Sequence, residues 1–340
     1  MAKAFCSHSI CRGNSHYLST TPATRGHPEW TSRIALTGTT PQEPKLNTVP
    51  IFYNDKYVAP STDFDTLRKS ALIAERIPEL IHDPSCMVDD ATEQIKKAHS
   101  PQYVKALMTG DPGYLSETNG FTWDEGIWEM AVNSTAGVLA ACKTVLTTTS
   151  DRPLISGSLS SGLHHASTGQ GSGYCTVNGL AIAANYLNNS EITILDFDAH
   201  CGGGTVNMLR DLNIDHRVSQ YDLSTNLFDA YDEDENHMIS VAKDDEEYLR
   251  KVDSILSDLD PGIDLVLYNA GTDPYPTISH ATLEERERRV FQACVEKDIP
   301  CVFVLAGGYT FSQDMNSLVK SHLATISSSN NYFCNTVSTS

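Results

Sequence analysis

The chain has 340 residues, of which 40% are hydrophobic and 20% charged, the balance of a folded globular protein rather than a disordered one. Asp and Glu total 43 against 24 Lys and Arg, which gives a formal net charge of −19. This excess of acid disfavours direct binding to nucleic-acid phosphates or anionic membranes, and no apolar run reaches the roughly 18–20 residues of a membrane helix.

The two ends of the chain differ in composition from its middle. Residues 1–45 are rich in Ser, Thr, Gly and Pro, and their first acidic residue is Glu29. This composition predicts a flexible N-terminal arm, and an organelle transit peptide would share it. The polar composition of residues 327–340 predicts a C-terminal tail that frays. The nine cysteines are scattered without a CxxC pair, which favours reduced thiols in an intracellular compartment, most simply the cytoplasm.

Between these ends, short apolar runs alternate with helical periodicity. The predicted strands are Val49–Tyr53, Leu154–Ser156, Ile192–Asp196, Leu265–Tyr268 and Cys301–Leu305. The predicted helices are Thr66–Arg76, Trp128–Thr147, Gly179–Leu187, Glu247–Leu256 and Thr282–Glu296. Apolar runs without alternation are typical of parallel strands covered on both faces. The pattern predicts one doubly wound α/β domain over residues 46–326, with a central, mostly parallel sheet and helices on both faces.

Polar side chains follow four of the predicted strands. Ligands of an open parallel sheet bind beyond the carboxyl ends of its strands, so these side chains are expected at one edge. Asp198 and His200 are two residues apart, so their side chains share a face if that segment is extended. Asp273, after the next strand, would complete a set of three protein ligands. Three ligands with one open position are typical of catalytic zinc rather than structural zinc.

Five short motifs follow one another along the chain: Gly162–Ala166, Gly171–Asn178, Asp196–His200, Ala270–Pro274 and Gly307–Tyr309. Their order and content resemble the zinc-dependent histone deacetylase family, which includes acetoin-utilisation and acetylpolyamine amidohydrolase proteins. The resemblance runs over roughly residues 48–326. The tripeptide at residues 173–175, Gly-Tyr-Cys, is similar to the bacterial, class IV-like branch.

The resemblance implies an arginase/deacetylase fold and hydrolysis of an acylated amine, such as an acetyl-lysine peptide or an acetylpolyamine. It implies one zinc ion held by Asp198, His200 and Asp273. It further implies that His164 and His165 form an acid–base pair and that Asp196 lies beside a potassium site. It implies that the phenol of Tyr309 donates a hydrogen bond to the oxyanion. The substrate channel implied by the family comprises Gly173, Tyr174, Gly307 and Gly308.

One departure from the family pattern concerns the acid–base pair. Gly203 stands where the family has an Asp or Asn that orients the second histidine, so His165 loses its expected partner. Either another residue substitutes or activity is lower. The alternative interpretation is a catalytically weak protein of this fold that binds acylated ligands.

A dinuclear manganese ureohydrolase shares the fold but needs further carboxylates near both ligand segments. Gly202 stands at one of those places and residues 269–272 lack an acid, so one metal ion is favoured. Two acidic runs remain, one from Asp229 to Glu235 and one over Asp244–Glu247. They predict solvated acidic loops in preference to a surface that attracts a cationic ligand.

Overall fold

The computed structural model of the protein describes residues 48–58, 64–150 and 154–335. The N-terminal arm predicted for residues 1–45 lies outside the described residues. Among the described helices, none is both long enough and apolar enough to cross a membrane.

The centre of the domain is an eight-stranded sheet in which every pairing is parallel. The strands are β1 Ile51–Phe52, β2 Ile81–His82, β3 Ile155–Ser158, β4 Ile192–Asp196, β5 Val218–Ser224, β6 His237–Val241, β7 Leu265–Asn269 and β8 Cys301–Val304. Their spatial order is β2-β1-β3-β8-β7-β4-β5-β6. Every residue of β4 and β7 is buried. Because successive side chains point to opposite faces, helices and loops must cover both faces of this part of the sheet.

Ten α-helices connect and flank the described strands. They are α1 Asp65–Ala74, α2 Val88–Ala98, α3 Pro101–Thr109, α4 Gly113–Ser116, α5 Gly126–Thr147, α6 Gly179–Tyr186, α7 Gly203–Asp211, α8 Asp245–Asp258, α9 His280–Glu296 and α10 Met315–Asn335. The longest, α5, packs on β3 and β8. Its small residues let most of its surface be buried, as its Ala-rich sequence predicts. The predicted α/β class with a central parallel sheet is confirmed.

The second acidic run is the start of a helix. Asp244 is the N-cap of α8 and accepts a hydrogen bond of 2.9 Å from the Glu247 backbone N–H. Acidic side chains in a first helical turn are stabilised by the unpaired N–H groups there. Asp245 also accepts from the Ser279 backbone N–H at 2.8 Å. The run therefore has a local structural explanation.

The structure adds elements that the sequence analysis did not predict, which are strands β2, β5 and β6 and helices α2, α3, α4, α7 and α10. Strands β5 and β6 were not predicted, because β5 carries Gln220 and Asp222 among its buried positions and so lacks a continuous apolar run. Helix α10 continues to Asn335, into the segment expected to be a fraying tail. Phe333 is buried, and the Asn330 side chain accepts a hydrogen bond of 3.0 Å from the Val49 backbone N–H. These contacts order the polar helix, because tertiary packing outweighs composition.

Stability is expected to fall in mild acid because of His99, which lies where α2 ends and is 2% exposed. Burial lowers the pKa of His99 from 6.5 to about 4. The unfolded chain therefore binds a proton at this residue between pH 6.5 and 4 that the folded chain does not. The free energy of unfolding should drop by up to about 3 kcal/mol across this window from this group alone.

The measurement is urea unfolding of the wild type and His99→Gln at several pH values. The substituted amide side chain can still accept the hydrogen bond that the Asn178 backbone N–H donates to His99 at 3.3 Å. The variant should lose stability less steeply below pH 6.5, whereas His216→Gln, at an exposed histidine, should follow the wild type. Equal slopes in all three proteins would contradict the assignment.

Candidate metal and catalytic site

The predicted site residues converge at the carboxyl ends of four neighbouring strands. β3, β8, β7 and β4 are adjacent in the sheet, and each is followed by one of the polar motifs. Parallel alignment brings all of these strand ends to the same edge. One pocket there is lined by six of the predicted side chains, His164, His165, Asp198, His200, Asp273 and Tyr309.

Asp198, His200 and Asp273 form the only cluster of three or more potential metal-ligand residues within the described parts of the chain. One ligand atom from each lies within 4.8 Å of the other two. His200 Nδ1 is 3.1 Å from Asp198 Oδ1 and 3.2 Å from Asp273 Oδ2. Donor atoms about 2.0–2.2 Å from a tetrahedral zinc ion stand roughly 3.3 Å apart. The spacing of these atoms therefore fits a zinc ion.

The hydrogen bonds of the Asp273 carboxylate also support a metal ion at this cluster. Its Oδ1 accepts a hydrogen bond of 3.2 Å from the Ala199 backbone N–H. Its Oδ2 is buried and makes no hydrogen bond of normal geometry with any described residue, because the neighbouring His200 Nδ1–H is directed to Asp198. A buried carboxylate oxygen without a donor is costly unless a cation meets it.

The charges at the cluster reflect its burial. Burial lowers the pKa of His200, but the hydrogen bond to Asp198 and the negative charges of Asp198 and Asp273 outweigh it and raise that pKa to about 10. Burial and the charge of Asp198 raise the pKa of Asp273 to about 6. Burial also opposes ionisation of Asp198, yet His164 and His200 hold its pKa well below the usual range. The cluster thus concentrates negative charge that attracts a cation, and a metal must displace the proton on His200.

A fully buried arginine holds the two ligand-bearing segments in place. Arg286, on α9, donates from Nη1 to the Phe197 carbonyl at 3.0 Å and to the Gly271 carbonyl at 2.8 Å. Its charge is paired with Glu287. Phe197 precedes Asp198, and Gly271 lies two residues before Asp273, so α9 sets the distance between the two carboxylates.

The first histidine of the pair is held by a buried carboxylate. His164 Nδ1 is 2.8 Å from Asp196 Oδ2, and Asn269 Nδ2 donates to Asp196 Oδ1 at 2.7 Å. His164 Nε2 faces the metal cluster, 3.7 Å from Asp198 Oδ1. Burial lowers the pKa of His164, but Asp196, Asp198 and Asp273 together raise it to about 10. In the metal-free protein this ring is therefore cationic at neutral pH.

The second histidine of the pair, His165, is hydrogen-bonded to Asp229. His165 Nδ1 is 2.7 Å from Asp229 Oδ2. Burial and the charge on His164 lower the pKa of His165, against the effect of Asp229. The two imidazoles lie 3.9 Å apart between ring centroids, so one being cationic favours the other being neutral. A carboxylate from another part of the chain thus contacts His165, although position 203 carries none.

A second buried carboxylate, Asp222, lies close to Asp196. It accepts hydrogen bonds from the Gly202 backbone N–H at 2.6 Å, from Gln220 at 2.8 Å and from Tyr231 at 2.6 Å. Burial and the charge of Asp196 raise the pKa of Asp222 to about 7. Two buried carboxylates in proximity suit a neighbouring cation, which is consistent with a potassium ion beside Asp196.

Aromatic rings form the walls of the pocket. Tyr174 stacks on Phe64 with ring centroids 4.3 Å apart, and Tyr309 stacks on Phe311 at 4.9 Å. Burial and the charges of Asp273 and Asp198 raise the pKa of Tyr309, so its phenol keeps its proton and remains a donor. Of the predicted channel glycines, Gly173 and Gly307 line the pocket. Gly308 lies behind it, where a Cβ would meet Leu318 and Thr272.

Sequence reasoning missed several ionisable groups at the site, namely Arg286 and Asp222, described above, together with Lys69 and Asp229. Lys69 on α1 is fully buried and donates to Ser161 Oγ at 3.2 Å and to the Gly307 carbonyl. Burial lowers the pKa of Lys69 to about 7. Lys69 belongs to no recognisable motif, so the sequence did not indicate its place at the site. Asp229 was assigned to an acidic loop, although the missing acid at Gly203 was a signal to look for a substitute.

An all-parallel α/β sheet with an Asp–His–Asp cluster at its carboxyl edge is the arrangement of the arginase/deacetylase fold. The family model described as histone deacetylase domain matches residues 64–326. The chain belongs to the histone deacetylase family.

The chain is similar to several curated proteins. An uncharacterised protein of Picosynechococcus sp. is 26% identical over 306 residues, which cover 80% of this chain and 95% of the relative. Histone deacetylase 2 of Arabidopsis thaliana is 30% identical over 164 residues, 44% of this chain and 42% of the relative. Acetoin utilization protein AcuC of Staphylococcus aureus is 31% identical over 137 residues, 38% of this chain and 34% of the relative. The alignment thus spans less than half of each of the two relatives named for a function.

Proposed function

We propose that this protein is a zinc-dependent amidohydrolase that removes an acyl group, in the first place acetyl, from an acylated amine. Membership of the histone deacetylase family supports deacetylase activity in general. The observation that carries the finer proposal is the donor spacing of the metal cluster, together with the burial of Asp273 Oδ2, which makes no hydrogen bond of normal geometry with any described residue.

Asp198, His200 and Asp273 would hold the metal. Zinc, when bound, supplies Lewis-acid polarisation of the acyl carbonyl and lowers the pKa of the attacking water. The residues around the metal would provide proton transfer and positive charge. His165, neutral and oriented through Nδ1, takes a proton from the attacking water and returns it to the leaving amine. His164, held by Asp196, contributes positive charge, and a potassium ion beside Asp196 would offset the buried carboxylates.

Tyr309 completes the proposed mechanism. Its protonated phenol donates a hydrogen bond to the oxygen that gains negative charge as the carbonyl is attacked. The aromatic walls formed by Tyr174 and Phe64 suit an apolar alkyl chain that ends in an amide, since such a chain is hydrophobic up to its polar head. An acetyl-lysine peptide and an acetylpolyamine both have that chemistry.

The alternative, a weakly catalytic protein that binds acylated ligands, depended on the missing acid at position 203. The contact of Asp229 with His165 removes that reason, because a carboxylate is again placed on the imidazole nitrogen away from the pocket. We therefore prefer the enzyme.

The test is an assay of the full-length protein with an acetyl-lysine fluorogenic peptide and an acetylpolyamine. We expect turnover that a chelator abolishes and that one equivalent of zinc restores, since the ligand set binds one ion. Denatured protein carried through the same treatment is the control. If zinc-loaded protein turns over none of a panel of acylamides, the enzyme proposal is wrong. If activity persists after metal removal is verified, the zinc mechanism is wrong.

A further inference from the structure

Asp229 reaches His165 from an unexpected part of the chain. It lies five residues beyond the end of β5, in the segment that leads to β6. Its Oδ2 is 2.7 Å from His165 Nδ1 and accepts a second hydrogen bond of 3.0 Å from the Gly204 backbone N–H. The side chain is only 25% exposed. The carboxylate is therefore held between the imidazole and the first turn of α7 rather than pointing into solvent.

Gly203 makes this arrangement sterically feasible. A Cβ at position 203 would lie 2.2 Å from the Asp229 carbonyl oxygen and 2.7 Å from its Oδ1. The first of these distances involves backbone, which cannot simply rotate away. Any side chain at position 203 would thus push Asp229 from His165. A carboxylate side chain at position 203 is therefore incompatible with the present position of Asp229.

We propose that Asp229 is the positioning residue of His165, and that Gly203 is the substitution that admits it. The inference rests on the proposed function of His165 as the acid–base group. By accepting a hydrogen bond at Nδ1, Asp229 leaves Nε2 as the free nitrogen of the ring and fixes the ring plane. The carboxylate that orients the base thus comes from the segment after β5 and not from the segment that carries His200.

The residue that precedes Asp229 also contacts the predicted site. Phe228 precedes Asp229 and packs edge-on against His165 and His200, with ring centroids 5.1 and 5.6 Å apart. Its backbone carbonyl accepts a hydrogen bond of 2.9 Å from the Cys201 N–H. Asp229 itself has a φ of 59°, in the left-handed region, where a non-glycine residue needs local contacts to hold it. These contacts hold the segment that carries Asp229 against both His165 and the loop that carries His200.

The kinetic test compares Asp229→Asn with Asp232→Asn, which makes the same charge change at an exposed residue of the same segment. Asp229→Asn should lower kcat by about 10- to 100-fold, the usual effect of losing a partner behind a functional histidine. KM and zinc content should stay within about twofold of the wild type, since Asp229 is neither among the residues that line the pocket nor a member of the metal cluster. Asp232→Asn should match the wild type. If Asp229→Asn keeps kcat within twofold, or loses zinc in proportion to activity, the positioning role is overturned.

A double-mutant cycle tests the steric argument. Gly203→Ala should lower kcat in the wild type but add little in the Asp229→Asn background, because both changes remove the same contact. Fully additive losses would overturn the link between the two positions.

A spectroscopic readout keeps the inference separate from the proposed function. In ¹⁵N-histidine spectra of the metal-free protein, the strongly hydrogen-bonded Nδ1–H proton assigned to His165 should be present in the wild type and in Asp232→Asn and absent from Asp229→Ala, whereas the proton of His164, which contacts Asp196, should remain in all three. Persistence of the His165 proton in Asp229→Ala would refute the contact. If the wild type shows the His165 proton but hydrolyses no acylamide, the proposed function fails while the contact stands.

Discussion

Asp198→Ala is expected to abolish zinc binding and turnover together. Asp198 Oδ1 stands 3.1 Å from His200 Nδ1, and a two-ligand remnant binds zinc far more weakly than a three-ligand set. Some stability should also be lost, because the variant leaves the buried His164 and the half-buried His200 without one of their carboxylate partners. The measurements are zinc per chain by elemental analysis, circular dichroism and the deacetylase assay.

Asp232→Ala is the matched control, an acid of the same type on the exposed surface, and it should keep one zinc per chain. The decisive comparison is the Asp198→Ala, Asp273→Ala double variant. If that protein retains the zinc stoichiometry of the wild type, the metal is bound elsewhere and the ligand assignment is wrong.

Tyr309→Phe is expected to keep zinc while cutting kcat by about 10²- to 10³-fold, the effect of removing one oxyanion donor. The substitution removes only the hydroxyl. The ring can still stack on Phe311, whose centroid is 4.9 Å away, and lie near Phe64, at 6.1 Å. KM should therefore change little, since the interaction is made in the transition state and not in the bound substrate.

Steady-state kinetics at saturating zinc check this, with Tyr114→Phe as the control because Tyr114 is 82% exposed. A loss confined to KM would show that Tyr309 binds substrate without stabilising the oxyanion. A loss of zinc in Tyr309→Phe would show that the phenol acts on the metal cluster instead.

The metal cluster could be predicted because its residues follow strands that are continuous apolar runs. Strand β4 was predicted over the same residues that the structure shows, Ile192–Asp196, and β7 differs by one residue at its end. Once two parallel strands are located, their carboxyl ends must meet at one edge. The proximity of Asp198, His200 and Asp273 follows from that geometry, and the structure brings them within 4.8 Å of one another.

Asp229 could not be placed in the same way. The strand that precedes it, β5, contains Gln220 and Asp222 and was not recognised. Without that strand, residues 229–235 could only be interpreted as an acidic loop. The structure separates their roles, since Asp229 bonds His165 whereas Asp234 pairs with Arg210 at 2.7 Å.

The sequence by itself determined the α/β class, the resemblance to the deacetylase family, and the side chains expected at the edge of the sheet, because these depend on local apolar runs and on short contiguous motifs. Only the tertiary structure decided how the site is supported. The Arg286 clamp, the buried Lys69 and the Asp229–His165 pair join residues 15 to 238 positions apart along the chain. Such contacts depend on the path of the loops between strands, which the periodicity of side chains does not predict.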